Sequence, residues 1–525
     1  MAKPSILHYT IEQKLIQSRL YRFGAKRLQG WGRFTVSMKV DRMNRLGSLS
    51  DRTGRPVGPV IWFEVEDFLE YFDRVPKPSG IQRVQMEIFS IVNERFGGEG
   101  EVRFCRLNRF TQRFQAVDFD LLRQTFDRPP LKYAAPHLVP GRNRWLSRLI
   151  NEREKFRSTR HQFYLRIGRV LPWLAHIEWP RRQAAALRGP LNPGDILVSL
   201  GMSWWNIYYI DRIVCMKRAL GLRCAVLIHD VIPVTDPEWM TAASSVVFRH
   251  WILGVLRHAD LLMAVSNYSR SALLEYARKE GLAAPPTEVI RLGAGFRDQQ
   301  TAPPRAEVLA RLPGSYALFV STLEPRKNHR FLMRIWRRLL ERHGAVRVPS
   351  LVFVGQRGWM VEDLMAELAE SRYLDGKIVL FSDLSDGELK QVYRRCLFSV
   401  YPSLLEGFGL PVAESLEQGK LCVASRRAAI PEVGGDLVDY VDPGDEEAAL
   451  AILERAIFDE PYRRAREARI RDTYRPTSWA ECVEAMLAKL EQLERERAGS
   501  RPITGVADAQ REGQLAMTAS ADAPR

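Results

Sequence analysis

Short apolar runs recur along this chain, and stretches with helical spacing separate them. Val60-Ile61-Trp62-Phe63-Glu64-Val65 predicts a first strand, residues 101–107 a second, and Ile81 through Val92 a helix between them. Residues 108–190 break the rhythm: they are irregular, basic and proline-containing, and read as a long insertion, helical in part. Strand signals resume at residues 195–200, 224–228 and 261–266, and residues 288–291 close this half. Ser266 suits the N-cap of the helix that follows it. Ala302-Pro303-Pro304-Arg305 predicts a linker. Beyond it, strands at 317–321, 351–355, 378–381, 397–401 and 421–425 alternate with helices. Such alternation predicts two α/β units, each a parallel sheet covered on both faces, with ligands at the carboxyl ends of the strands.

The predicted organisation is a basic arm at 1–58, a first Rossmann-like domain at 59–300 carrying the insertion at about 108–190, and a second at 305–475. A helix at 476–495 and a disordered tail at 496–525 complete it. The net charge of +16 is concentrated. Residues 1–58 hold twelve Lys/Arg against three acids, and residues 141–188 repeat that balance with Trp145, Phe163, Trp173 and Trp179 interspersed. Such a region suits an anionic membrane surface, and it equally suits a solvated face. No nucleic-acid module accompanies the charge, so nucleic acid is not expected as a partner. No run of about eighteen uncharged apolar residues appears, so no transmembrane helix is predicted. The first residues contain no apolar signal core, which places the expected site of action in the cytosol. The basic aromatic region adds a peripheral place on the inner face of the membrane. The six cysteines form no C-x-x-C pair and read as free thiols, with neither a zinc site nor a disulfide framework.

The candidate chemistry lies in Glu406-Gly407-Phe408-Gly409-Leu410-Pro411-Val412-Ala413-Glu414. Pro411 suits the first turn of a helix and Gly419 its stop. Glu406 then precedes the helix N-terminus and Glu414 lies in its first turns. Between them, backbone amides without helical partners face outward at the positive end of the helix dipole. Amides that take a phosphate, flanked by carboxylates that accept hydroxyl protons, suit a nucleotide sugar. A second candidate is Leu323-Glu324-Pro325-Arg326-Lys327-Asn328, where a buried strand ends in two adjacent cations that suit a diphosphate. Asn328 is placed to cap the following helix. Either segment alone also fits a solvated surface; on one sheet edge they favour a site.

The Glu406–Glu414 segment resembles the E-x7-E signature of family 4 of the retaining glycosyltransferases, which share the two-domain GT-B fold. The Arg326-Lys327 turn resembles that family's phosphate-binding turn. The resemblance implies an α/β GT-B fold, with two doubly wound Rossmann-like domains facing across a cleft. It implies that Arg326 and Lys327 hold the donor diphosphate, Glu406 the donor sugar and Glu414 the ribose. The backbone of Gly407, Phe408, Gly409 and Leu410 would face the sugar and β-phosphate, and Leu384 the base. Pro78-Ser79-Gly80-Ile81 resembles the glycine turn that faces the donor from the first domain, and His229-Asp230 the active-site histidine. Many relatives have two glycines at the Gly80 turn and an arginine at the position of Thr322, and this chain has neither. The resemblance further implies catalysis with no metal and no cofactor. The co-substrate is then a nucleotide diphosphate sugar, GDP-mannose first and a UDP-sugar second. The segment pattern looks most like mannosyltransferases of bacterial surface-polysaccharide assembly, acting on a glycan or polyprenyl-diphosphate-linked acceptor. A GT-B sugar-nucleotide epimerase and a basic nucleic-acid-binding protein are the alternative readings.

Overall fold

The computed structural model describes residues 59–97, 101–108, 113–131, 189–296 and 304–499, with side chains to 495. The basic arm, the aromatic basic stretch 141–188 and the tail beyond residue 499 lie outside the described residues. Two sheets organise the rest. The first joins seven strands in the order β3-β2-β1-β4-β5-β6-β7. They are β1 (Ile61–Glu64), β2 (Val102–Asn108), β3 (Arg113–Val117), β4 (Ile196–Ser199), β5 (Arg223–Ile228), β6 (Leu261–Ala264) and β7 (Thr287–Val289). All pairings are parallel except β2 with β3. The second sheet runs β10-β9-β8-β11-β12-β13 and is parallel throughout. Its strands are β8 (Tyr316–Val320), β9 (Ser350–Val354), β10 (Ile378–Phe381), β11 (Phe398–Tyr401), β12 (Cys422–Ser425) and β13 (Asp439–Val441).

The central strands are buried on both faces, as the near-continuous apolar runs require for a parallel sheet under helices. Phe63, Val198, Leu227 and Met263 lie in one apolar cluster of the first sheet, and Trp62, Leu197, Val226 and Leu262 in another. In the second sheet Phe319 and Phe353 meet the helix His329–His343, while Leu318 and Val352 belong to a separate cluster with Tyr393.

One segment departs from the sequence reading, and the predicted last helix takes a place the sequence did not assign. Residues 113–131, expected to belong to an insertion helical in part, hold the helix Phe119–Asp127 but also the antiparallel edge strand β3, which the reading did not foresee. In β3 only Phe114 is buried, so an exposed edge conceals its alternation among charged residues. The helix Trp479–Gly499 follows the second sheet in sequence but packs on the first. Cys482, Val483, Met486, Leu487 and Leu490 join the cluster of Phe63 and Phe89. The described cysteines are all free, and Cys215 alone among them is half-buried. No helix among the described residues is long and apolar enough to cross a membrane.

Each sheet reverses its strand order once, between β1 and β4 in the first and between β8 and β11 in the second. The loops that leave the carboxyl ends at these points are where an open α/β sheet binds ligands. Both candidate segments of the second sheet lie there: residues 321–328 follow β8, and residues 402–409 follow its neighbour β11.

Candidate active site

The turn after β8 is one turn of 3-10 helix, Pro325–Lys327. Asn328 ends it in the left-handed region with φ 65°. Asn328 occupies the N-cap position of the next helix but makes no side-chain cap; its amide donates instead to Pro402 O at 3.4 Å. This corrects the capping expectation and ties the β8 turn to the β11 loop. Leu404 N reinforces the tie by donating to Arg326 O at 2.8 Å.

Between these loops three charges meet out of water. Lys327 Nζ donates to Glu406 Oε1 at 2.5 Å, and Arg326 Nη1 lies 3.1 Å from Glu406 Oε2. Tyr401 OH at 2.8 Å and Ser403 Oγ at 2.5 Å also donate to Oε1. Lys327 further donates to Tyr401 OH at 3.0 Å. Arg326 Nη1 donates to Leu405 O at 2.7 Å, and Nη2 pairs with Glu324 at 2.7 Å. Glu406 is 6% exposed and Lys327 7%. Burial alone would raise the Glu406 carboxyl, but Lys327 and Arg326 outweigh it and hold the group down at about 2. Burial and the adjacent Arg326 push the Lys327 ammonium below its ordinary value, against the pull of Glu406 and Glu324. Burial opposes the Arg326 charge too, yet Glu406, Glu324 and Asp230 raise that guanidinium above its ordinary value. Burial raises Glu324, whose Oε2 finds no hydrogen-bond partner.

The sequence reading gave acid and cations separate roles, sugar for one and diphosphate for the other. In the fold they neutralise one another. Glu406 Oε1 already accepts three hydrogen bonds, so its first effect is to fix where the two cations stand. Tyr401 and Ser403 were not anticipated; their signal is a phenol ending an apolar strand and a hydroxyl just past it.

Gly407 through Leu410 then turn into the helix Leu410–Glu417, with Gly409 at φ 106°. No hydrogen bond from the amides of Phe408, Gly409 or Leu410 is found among the described residues. This loop touches the first lobe. Gly407 O accepts from Ser266 Oγ at 2.6 Å and from Ser269 Oγ at 3.0 Å. Ser266 is thus both the helix cap expected of it and an inter-lobe contact. A Cβ on Gly407 would stand 1.9 Å from His229 O, so only glycine permits the approach. Phe408 and Leu410 pack on the first lobe's apolar cluster, and a Cβ on Gly80 would lie 3.8 Å from Leu410 Cδ1.

His229 follows β5 and its Nε2 lies 2.8 Å from Leu200 O. A carbonyl only accepts, so Nε2 carries the proton and Nδ1 keeps a lone pair. Burial lowers the imidazole below its ordinary value, so the ring is neutral at pH 7. Glu414 is 2% exposed and stands apart from the Glu406 cluster's partners. Its Oε1 accepts from Arg83 of the first lobe at 2.7 Å and its Oε2 from Tyr393 OH at 2.9 Å. Arg83 also lies over the Phe296 ring at 5.3 Å and 3.7 Å from Asp386. Leu384 is half-buried against the apolar cluster that holds Phe296 and Tyr393. The fold therefore brings Arg326, Lys327 and Glu406 into direct contact, and Gly80, His229 and Gly407–Leu410 to the same lobe boundary. Glu414 and Leu384 neighbour the Arg83 side of it. No group of three or more His, Cys, Asp or Glu among the described residues is arranged to hold a metal ion.

Residues 305–473 match the family model for Glycosyl transferases group 1. O-antigen chain mannosyltransferase B of Escherichia coli is 28% identical over 310 residues, covering 58% of this chain and 75% of that one. Serotype-specific mannosyltransferase WbdA of Escherichia coli is 27% identical over 219 residues, 40% of this chain but 26% of that longer one. Among solved structures, an alpha,alpha-trehalose 6-phosphate synthase from Burkholderia multivorans aligns at TM-score 0.50 with 15% identity, covering 85% of this chain and all 100% of that one. The chain is a glycosyltransferase with the GT-B fold. Its sequence resembles mannosyltransferases.

Two outcomes follow from this geometry. Gly407→Ala should force the 406–409 loop away from His229, lowering stability by about 1 kcal/mol or more in denaturant unfolding. Gly314→Ala, with nothing within 4 Å of its new Cβ, should change little; equal effects would contradict the close approach. Glu406, held down at about 2 against an ordinary 4.5, contributes stability that is complete above 4.5 and lost as pH falls toward 2. Glu406→Gln should start less stable and lose less over that window; parallel pH profiles would contradict it.

Proposed function

We propose that the chain is a retaining, metal-independent family 4 enzyme. It moves mannose from GDP-mannose to a lipid-linked or polysaccharide acceptor during bacterial surface-polysaccharide assembly. The carrying observation is the buried Arg326-Lys327 pair, fixed by Glu406 beside the unbonded amides that open the helix Leu410–Glu417. Two fixed cations beside the loop that leads into a helix N-terminus suit a diphosphate. The mannosyltransferase relatives support the sugar, and through it GDP as the nucleotide. A UDP-sugar is the second choice.

The acceptor oxygen attacks the anomeric carbon from the side of the departing phosphate. The bond between that carbon and the phosphate oxygen breaks through an oxocarbenium-like state. The acceptor proton passes to the leaving phosphate, and a nucleoside diphosphate departs. Negative charge grows on the leaving group, and Arg326 and Lys327, already in place, stabilise it without reorganising. Lys327 has spent two of its three protons on Glu406 and Tyr401, which leaves one to offer. Neutral His229 presents Nδ1 toward the sugar as an acceptor. Glu414 receives the ribose, with Arg83 sharing or yielding its oxygen. The enzyme works on the cytosolic side, where the basic aromatic stretch meets anionic lipid or the acceptor's own diphosphate.

The test joins nucleotide binding to turnover. GDP should raise the thermal midpoint more than UDP or ADP; a shift with UDP alone moves the donor to a UDP-sugar. Lys327→Ala should lower turnover about a hundredfold, the cost of removing one charge-stabilising donor. Wild-type turnover should persist in excess EDTA. A soluble, folded Lys327→Ala protein with near-normal rate would remove the assignment, and loss of activity in EDTA would remove the metal-free scheme.

A further inference from the structure

The switch point of the first sheet, between β1 and β4, holds a cavity of about 10 Å³, room for one water-sized group. Four of its nine lining residues are carboxylic acids, among them Glu64 at the end of β1 and Asp67 just beyond it. The others include Trp205, Asn206 and Tyr209 from the segment after β4. At this cavity Asn206 Nδ2 is buried without a partner, and the buried Tyr209 OH has only the Ser199 hydroxyl beside it, with no hydrogen bond of good geometry. Tyr209 is only 2% exposed, so bulk water does not satisfy it. Trp205, by contrast, is 46% exposed and offers an aromatic face beside the opening.

The same segment connects this cavity to the catalytic edge. Met202 N donates to Asp67 Oδ2 at 2.6 Å, and a Cβ on Gly201 would stand 2.0 Å from that oxygen. Leu200 O, one residue earlier, is the acceptor of His229 Nε2. The cavity and the imidazole therefore hang on residues 200–202.

We propose that this cavity is a socket for one hydroxyl of an uncharged sugar ring, the terminal ring of the acceptor, with the ring's apolar face on Trp205. The proposal rests on the glycosyltransferase reading and specifies its acceptor. A hydroxyl carries two lone pairs and one proton. The lone pairs take Tyr209 O–H and Asn206 N–H, and the proton goes to Glu64 or Asp67. Burial raises both carboxyls, Glu64 well above its ordinary value and Asp67 to about 6, so a donated hydrogen bond relieves part of their desolvation. Arg106 already pairs the Glu66 carboxylate at 2.6 Å, so a phosphate on the same ring finds no free cation there and meets the remaining acids, which disfavour it. Any diphosphate on the acceptor must then lie away from this end, at the reducing side of the glycan.

Binding of methyl glycosides of mannose, glucose and galactose, and of the matching hexose 6-phosphates, is measured by saturation-transfer NMR with and without GDP. At least one neutral glycoside should bind wild type, and its 6-phosphate about tenfold more weakly. Tyr209→Phe, which keeps the ring volume, and Trp205→Ala, at an exposed position, should each weaken that glycoside about fivefold or more while leaving GDP affinity unchanged. Equal binding to wild type and both variants would mean that the cavity holds a water only and overturns the socket. Tighter binding of the 6-phosphates, or no glycoside binding to protein that binds GDP, overturns it as well. Absence of any nucleotide binding with glycoside binding intact would instead defeat the donor reading and leave the socket standing.

Discussion

Everything at the candidate site depends on one buried carboxylate. Two adjacent cations cannot be taken from water at the ends of β8 and β11 without a counter-charge, because each ion loses several kcal/mol of hydration. Glu406 supplies that charge to both cations, with Glu324 sharing Arg326, and Tyr401 and Ser403 complete its hydrogen bonds. The compensation is not quite complete, since Glu324 keeps one buried oxygen without a partner. What remains is a pair of cations whose positions are set in advance, one of them with a proton to spare. That is the property electrostatic catalysis needs.

The same carboxylate sets the loop that joins the two lobes. Once Glu406 is fixed, Gly407 reaches His229 and is held by Ser266 and Ser269, and Phe408 packs on the first lobe's core. Through the helix Leu410–Glu417, Arg83 and Glu414 add an ionic contact between lobes. The polar contacts sit on separate segments, Glu432 accepting from Asn267 and Tyr268 and Trp359 donating to Trp239 O among them, and the closest approach is made by Gly407. Such a boundary parts and re-forms more readily than a broad apolar one, as an enzyme that must admit a donor and release a nucleotide requires.

Much of this was legible in the sequence. The parallel strands announced themselves as apolar runs, and the glycine, proline and acid spacing of 406–414 announced a loop entering a helix. Three things were hidden, each for a physical reason. The strand Arg113–Val117 sits on an edge with one buried side chain, so its pattern drowned in basic residues. The apolar stripe of the helix Trp479–Gly499 fits either lobe, and nothing local says that it returns to the first. The Arg83–Glu414 pair spans 331 positions, and no local rule couples them. The segments 321–328 and 402–409 were correctly suspected of sharing an edge, but that their charges would cancel one another depends on β8 and β11 being neighbours.

The most direct measurement is a crystal structure with a nucleoside diphosphate bound. Diphosphate oxygens should lie within hydrogen-bond reach of Arg326, Lys327 and the amides of residues 408–410, and ribose hydroxyls on Glu414. A nucleotide bound elsewhere, with the Lys327–Glu406 and Arg83–Glu414 pairs untouched, would contradict that placement.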